Sequence, residues 1–286
     1  MADQPPEERP ITAGDGATSR LAIFRAAAAA APVIVTLPAM GVPARFYEPF
    51  GRALAASGLH AVNAELRGIG TSSLRASRRS NFGYHEMLAH DWPAVVAAAR
   101  AAFPGSRVYL LGHSLGGQLS ALWCAANPGQ ADGLLLVACC SVYWKGWDFP
   151  ASIGLLGASQ AMRAIADGLG YFPGKTLGFG GTEARGVIRD WAHTARTGRY
   201  DVARSAVDYE SLLPRARLPV LALSLEGDSY APRRAVDNLC HKLGSATLQH
   251  HHLSSQESAL TGMKHFTWAK TPAAIVRRIQ QWLAAV

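Results

Sequence analysis

The chain has 286 residues, 28 of them lysine or arginine against 20 acidic ones, for a formal charge of +8. Hydrophobic residues make up 49% and charged residues 17%, a balance that excludes a disordered polymer and suits one large globular domain or a core with a small insert. The basic residues fall in short groups (Arg75, Arg78 and Arg79; Arg233 and Arg234; Arg277 and Arg278) with no long run, so a solvated basic surface is expected rather than a nucleic-acid partner.

The first residues, MADQPPEERP, are polar and lack an apolar leader core, and no apolar run approaches the roughly 18 residues of a membrane span. A cytoplasmic protein without a membrane span is expected. Residues 1–10 read as a disordered tail. Asp15-Gly16 is a hairpin signal between a short first strand and Leu21–Arg25. Apolar runs then alternate with helical patterns. Strands are expected at Val33–Leu37, Ala61–Leu66, Val108–Leu111 and Gly133–Cys139. Helices are expected at Phe46–Ser57, Glu86–Ala102 and Leu115–Asn127. This rhythm predicts an α/β fold with a mostly parallel sheet covered on both faces.

The rhythm breaks at Ser141 and resumes at Pro219. Residues 141–217 hold Trp144, Trp147, Trp191 and several glycines, and are expected to form an inserted helical cap over a core of residues 11–140 and 218–286. The closing part continues the core pattern: strand Pro219–Leu225, helix Pro232–Leu243, strand Ala246–Leu253 and a last helix from Thr271-Pro272. None of the four cysteines (Cys124, Cys139, Cys140, Cys240) has zinc-ligand or redox spacing. No motif calls for a metal or a cofactor.

The chemistry is carried by Gly112-His113-Ser114-Leu115-Gly116-Gly117. Gly-x-Ser-x-Gly alone is a weak signal, and a glycine-rich turn with a capping serine is the plain alternative. Here a strand enters the motif and a helix leaves it, the context of a nucleophile elbow, with Ser114 as the nucleophile. Asp228 follows a strand in Glu226-Gly227-Asp228, at the carboxyl end of the sheet, and His265 lies in a loop before the last helix. The order serine, acid, histidine is the one such sheets use. Glu226 is the rival acid. His250, His251 and His252 lie in a strand-like segment whose side chains alternate, so they read as surface or core histidines rather than metal ligands. His85 and His90, five apart on a helix, should not share a face, and His113 reads as structural. The oxyanion hole needs two backbone donors, one from Leu115 and one from the Pro38-Ala39-Met40-Gly41 loop.

These motifs resemble the α/β-hydrolase superfamily, and within it the serine aminopeptidase S33-like and monoglyceride-lipase-like hydrolases. Leu66-Arg67-Gly68-Ile69-Gly70-Thr71-Ser72 and Lys264-His265-Phe266 add to the likeness, which implies that Arg67 braces the site. The usual His-Gly before the oxyanion residue is Pro38-Ala39 here, and the position that follows makes Met40 the second donor. The resemblance implies hydrolysis of a small-molecule ester or thioester through an acyl-enzyme. Amide hydrolysis, acyl transfer and cofactor-free perhydrolysis would use the same triad, and a silent binding protein on this scaffold would need a lost triad member.

Overall fold

The computed structural model describes residues 5–262 and 264–286. Its strands and longer helices are, in chain order, β1 (Glu7–Thr12), β2 (Thr18–Phe24), β3 (Val33–Leu37), α1 (Glu48–Ala56), β4 (His60–Asn63), α2 (Trp92–Ala102), β5 (Val108–His113), α3 (Leu115–Ala126) and β6 (Gly133–Val137). The inserted segment follows with α4 (Ala151–Leu169), β7 (Tyr171–Pro173), β8 (Thr182–Ala184) and α5 (Arg185–Thr197). The sheet then resumes with β9 (Pro219–Leu225), α6 (Arg233–Lys242), β10 (Thr247–Leu253) and α7 (Ala273–Leu283).

Eight strands form one sheet in the order β1-β2-β4-β3-β5-β6-β9-β10. The β1–β2 and β2–β4 pairs are antiparallel and every later pair is parallel. The central strands are buried throughout because both faces are covered. Val33, Val35 and Leu37 of β3 share one buried layer with Val95 of α2, Leu119 of α3 and Val236 of α6. Ile34 and Leu111 face the other layer, with Phe50 and Leu54 of α1 and Ile275, Ile279 and Trp282 of α7. The fold is thus an α/β-hydrolase-type sheet with helices on both sides.

Two local expectations are corrected. Residues 7–10, expected in a disordered tail, open β1. Cross-strand ion pairs hold them: Glu7 with Arg25 at 2.8 Å and Glu8 with Arg20 at 2.6 Å. Pro10 is harmless there because β1 is the edge strand and its missing N–H interrupts no further ladder. His85 and His90 do meet, ring centroids 6.4 Å apart. Residues Met87–Asp91 form a π-helical turn, whose wider winding brings positions five apart into register.

The hairpin turn at Gly16 has φ 85°. Beside it, Arg67 joins Asp15 and Asp91, both at 2.6 Å, with only 2% of its side chain exposed. Among the described residues no helix is long and apolar enough to cross a membrane.

Candidate active site

The turn between β5 and α3 decides the geometry. Ser114 has φ 52° and ψ −118°, a conformation that costs a side-chain-bearing residue free energy and persists only where the surroundings enforce it. They do so by close approach. A β-carbon on Gly116 would lie 2.2 Å from the Leu37 carbonyl oxygen, and one on Gly112 2.1 Å from Cα of Gly117. Only glycine fits at either position. The outcome is a half-buried serine side chain at the N-terminus of α3, where the helix dipole favours negative charge.

Asp228, after β9, and His265, after β10, are 37 positions apart and meet beside this turn. Gly227, at φ 78°, turns the backbone sharply after β9. Asp228 Oδ2 lies 2.9 Å from His265 Nδ1, and both side chains are buried. The other carboxylate oxygen, Oδ1, accepts the backbone N–H groups of Tyr230 at 2.9 Å and Ala231 at 3.1 Å. A carboxylate so held can only accept, so neutral His265 carries its proton on Nδ1 and keeps a lone pair on Nε2. The ring of His265 sits 4.8 Å, centroid to centroid, from that of His113, the residue before Ser114.

The loop after β3 closes the third side. The Gly116 N–H donates to the Pro38 carbonyl at 3.1 Å, which ties this loop to the start of α3. Leu115 is the first residue of its helix, so its N–H has no intrahelical acceptor. Among the described residues neither the Leu115 nor the Met40 N–H donates a hydrogen bond. Both residues line the same cavity as Ser114.

That cavity has a volume of about 350 Å³. Ser114 and Met40 form part of its base. Val142, Trp147, Leu155, Phe179 and Trp191, all from the segment between β6 and β9, form its roof, and Tyr230 completes the lining. A match to the family model described as serine aminopeptidase, S33, runs over residues 28–256. The chain belongs to this family of α/β hydrolases. No curated protein matches it by sequence. Solved structures of similar fold include a soluble variant of monoglyceride lipase from Saccharomyces cerevisiae in complex with a substrate analog (TM-score 0.70, 13% identity, covering 100% of this chain and 96% of the lipase). They also include an esterase from a Rhodococcus species (0.58, 19%, 97% and 98%) and the thioesterase domain of the curacin biosynthetic pathway (0.59, 16%, 96% and 100%).

In this hydrolase several other sequence candidates fall away from the cavity. Glu226 is exposed and its Oε2 accepts the Ser255 N–H at 2.6 Å. The histidine triplet alternates as the strand dictates. His250 and His252 share one face, where each lies 2.8 Å from Ser224 Oγ, and His250 Nδ1 meets Asp237 at 2.8 Å. Among the described residues no group of three or more histidine, cysteine or acidic side chains is arranged to hold a metal. Sequence reasoning missed Tyr47, whose hydroxyl lies 2.9 Å from the Ala39 nitrogen and 2.7 Å from His113 Nδ1. No spacing rule links positions 39, 47 and 113, so the sequence offers no signal for it.

Proposed function

We propose that this hydrolase cleaves a carboxylic ester or thioester with an apolar acyl group, through an acyl-enzyme on Ser114. His265 Nε2 takes the serine proton as the hydroxyl attacks the carbonyl carbon, and the imidazolium that forms is offset by Asp228. The carbonyl oxygen becomes an oxyanion, which the N–H groups of Met40 and Leu115 receive. His265 then returns the proton to the leaving alcohol or thiol, and water repeats the sequence to release the acid. Residues 141–217 act as a cap that selects the acyl group.

One observation carries the reading. A serine held in a strained turn opens into an apolar cavity, with a histidine–aspartate pair beside the same turn. The named relatives of like fold include an esterase, a lipase and a thioesterase, which agrees with acyl chemistry. An aminopeptidase substrate would bring an ammonium group into the cavity. Among the described lining residues none is acidic, and an unpaired ammonium in an apolar cavity is costly. At about 30 Å³ per non-hydrogen atom the volume suits about a dozen such atoms.

The test is a series of p-nitrophenyl esters from acetyl to dodecanoyl, run beside aminoacyl p-nitroanilides. The expected result is a rate optimum at intermediate chain length, slow anilides, and a loss of roughly 10⁴–10⁶ in kcat for Ser114→Ala with the fold intact. A Ser114→Ala protein that keeps most of its rate, or a preference for the anilides, overturns the reading.

A further inference from the structure

We propose that Tyr47 is a positioning residue for the oxyanion hole, acting through the Ala39 amide with His113 as its own hydrogen-bond acceptor. The inference rests on the assignment of the Met40 N–H as a donor to the oxyanion.

Within the loop that carries Met40, the Val42 N–H donates to the Ala39 carbonyl at 3.1 Å, which closes the turn but ties it to nothing outside the loop. Proline has no N–H, so Pro38 contributes only its carbonyl, already taken by Gly116. The first amide the loop can offer as a tether is that of Ala39, and it donates to Tyr47 Oη at 2.9 Å. This bond orients the Pro38–Ala39 peptide plane, the one immediately before the plane that bears the Met40 N–H.

The hydroxyl is itself fixed. Tyr47 is fully buried, and burial drives its ionisation well above the ordinary phenol range. It therefore keeps its proton and must place it. His113 Nδ1, 2.7 Å away, is the acceptor in reach. His113 is also fully buried. Burial, with a smaller contribution from His265, holds its pKa well below the usual imidazole value, so the ring is neutral and has one lone pair to offer. If His113 instead donated from Nδ1, the buried phenol proton would have no partner, an unfavourable arrangement. The chain of bonds then runs from the Ala39 N–H to the Tyr47 oxygen and from the Tyr47 O–H to Nδ1, which leaves the His113 proton on Nε2, where an interaction with the His265 backbone partly opposes the fall in its pKa. Packing of the Tyr47 ring against His113 (centroids 5.9 Å apart) and Trp268 (6.0 Å) keeps the hydroxyl in place. The relay joins the loop after β3 to the residue beside the nucleophile, so the two oxyanion donors share one support.

Tyr47→Phe keeps the ring and removes the hydroxyl. On a p-nitrophenyl ester its kcat should fall about 10- to 100-fold with KM within about twofold, less than the direct loss of an oxyanion donor. Affinity for a trifluoromethyl ketone, which adds the serine and binds as an oxyanion, should fall in parallel with kcat. His113→Leu removes the acceptor and should lose a similar factor. His113→Asn places an amide oxygen near the former Nδ1 and should recover most of it. An unchanged kcat in Tyr47→Phe, with Ser114→Ala inactive, overturns the proposal and leaves the acyl-enzyme reading standing. An active Ser114→Ala overturns that reading instead. Should Tyr47→Phe fail to fold, the His113 pair decides: an asparagine variant no better than the leucine one overturns the proposal.

Discussion

The base and the roof of the cavity are built by opposite means. At the base, polar groups are fixed one by one: Asp228 accepts three hydrogen bonds, and the turn at Ser114 is closed by backbone that tolerates no β-carbon on its glycines. The roof is apolar, and its two helices differ sharply. In α5, Val187, Ile188, Ala192 and Ala195 are fully buried. Asp190 anchors that helix by accepting the N–H groups of Tyr84 at 2.9 Å and Ala203 at 3.1 Å. In α4 only Ser152, Ser159 and Ala166 are buried. These three, seven positions apart, form one narrow seam of small side chains. Ile153 is 51% exposed, and Gly154, Gly157 and Gly168 face open space. The lesson is that the insert is not one uniform lid. One helix has been absorbed into the core, and the other rests on it.

If the base supplies chemistry through fixed polar partners, exchanging one of them should cost rate and little else. The largest effect of this kind after that of Ser114 is expected at Asp228. In Asp228→Asn the amide oxygen is held at the Oδ1 position by the Tyr230 and Ala231 N–H groups. Its NH₂ group then faces His265 Nδ1 and selects the tautomer with the proton on Nε2, which cannot act as a base. The expected loss is roughly 10⁴ in kcat with the fold retained. Glu226→Gln should change kcat by less than about threefold, because that side chain bonds Ser255 and lies in solvent. The reverse ranking in steady-state kinetics would move the acid to Glu226.

Much of the base was legible in the sequence, because its signals are local. Val108–Leu111 runs into a Gly-x-Ser-x-Gly turn, and Gly227 frees Asp228 from its strand. What escaped depends on partners distant in the chain. β1 looks like a polar tail until Arg20 and Arg25 are placed across from Glu8 and Glu7. The turn at Met87–Asp91 shows no composition that sets it apart from an ordinary helix. In the insert, Glu183–Thr197 and Ile153–Leu169 both show helical patterns, yet only the first gains an anchor from Tyr84, far away in sequence, whose N–H donates to Asp190.

The contrast within the roof is open to hydrogen exchange. Amides in the middle of α4 should exchange about a hundredfold or more faster than those of Ile188–Thr194 in α5, since local opening follows burial and packing. Gly157→Ala should narrow the gap, because glycine in an exposed helix interior costs roughly 1 kcal/mol relative to alanine. Equal protection of the two helices would break the comparison and return the insert to a single body.

The smallest effect expected is a pH dependence confined to the anchor of α5. Burial pushes the Asp190 carboxyl up from its ordinary 3.8 to about 6; the Tyr84 and Ala203 N–H groups and Arg204 oppose the rise, and Glu86 adds to it. Between these two values the folded protein holds more protons on this group than the unfolded chain does. Stability from Asp190 therefore falls as pH rises from about 4 to 6, and the penalty is fully present above about 6. Lowering the pH from 7.5 to 5 should recover about 1.4 kcal/mol from this one group, or roughly 3 °C in Tm for a chain of this size. In Asp190→Asn that increment is absent. The variant's Tm should lose ground to the parent by about that amount as the pH is lowered, whatever the two differ by at neutral pH. Carboxylates held low by arginine, such as Asp15 at about 2, titrate below this window and act on both proteins alike. Parallel melting curves for parent and variant across the window would mean that Asp190 titrates alike in the folded and unfolded protein, its bonds from the Tyr84 and Ala203 N–H groups offsetting the cost of burying the charge.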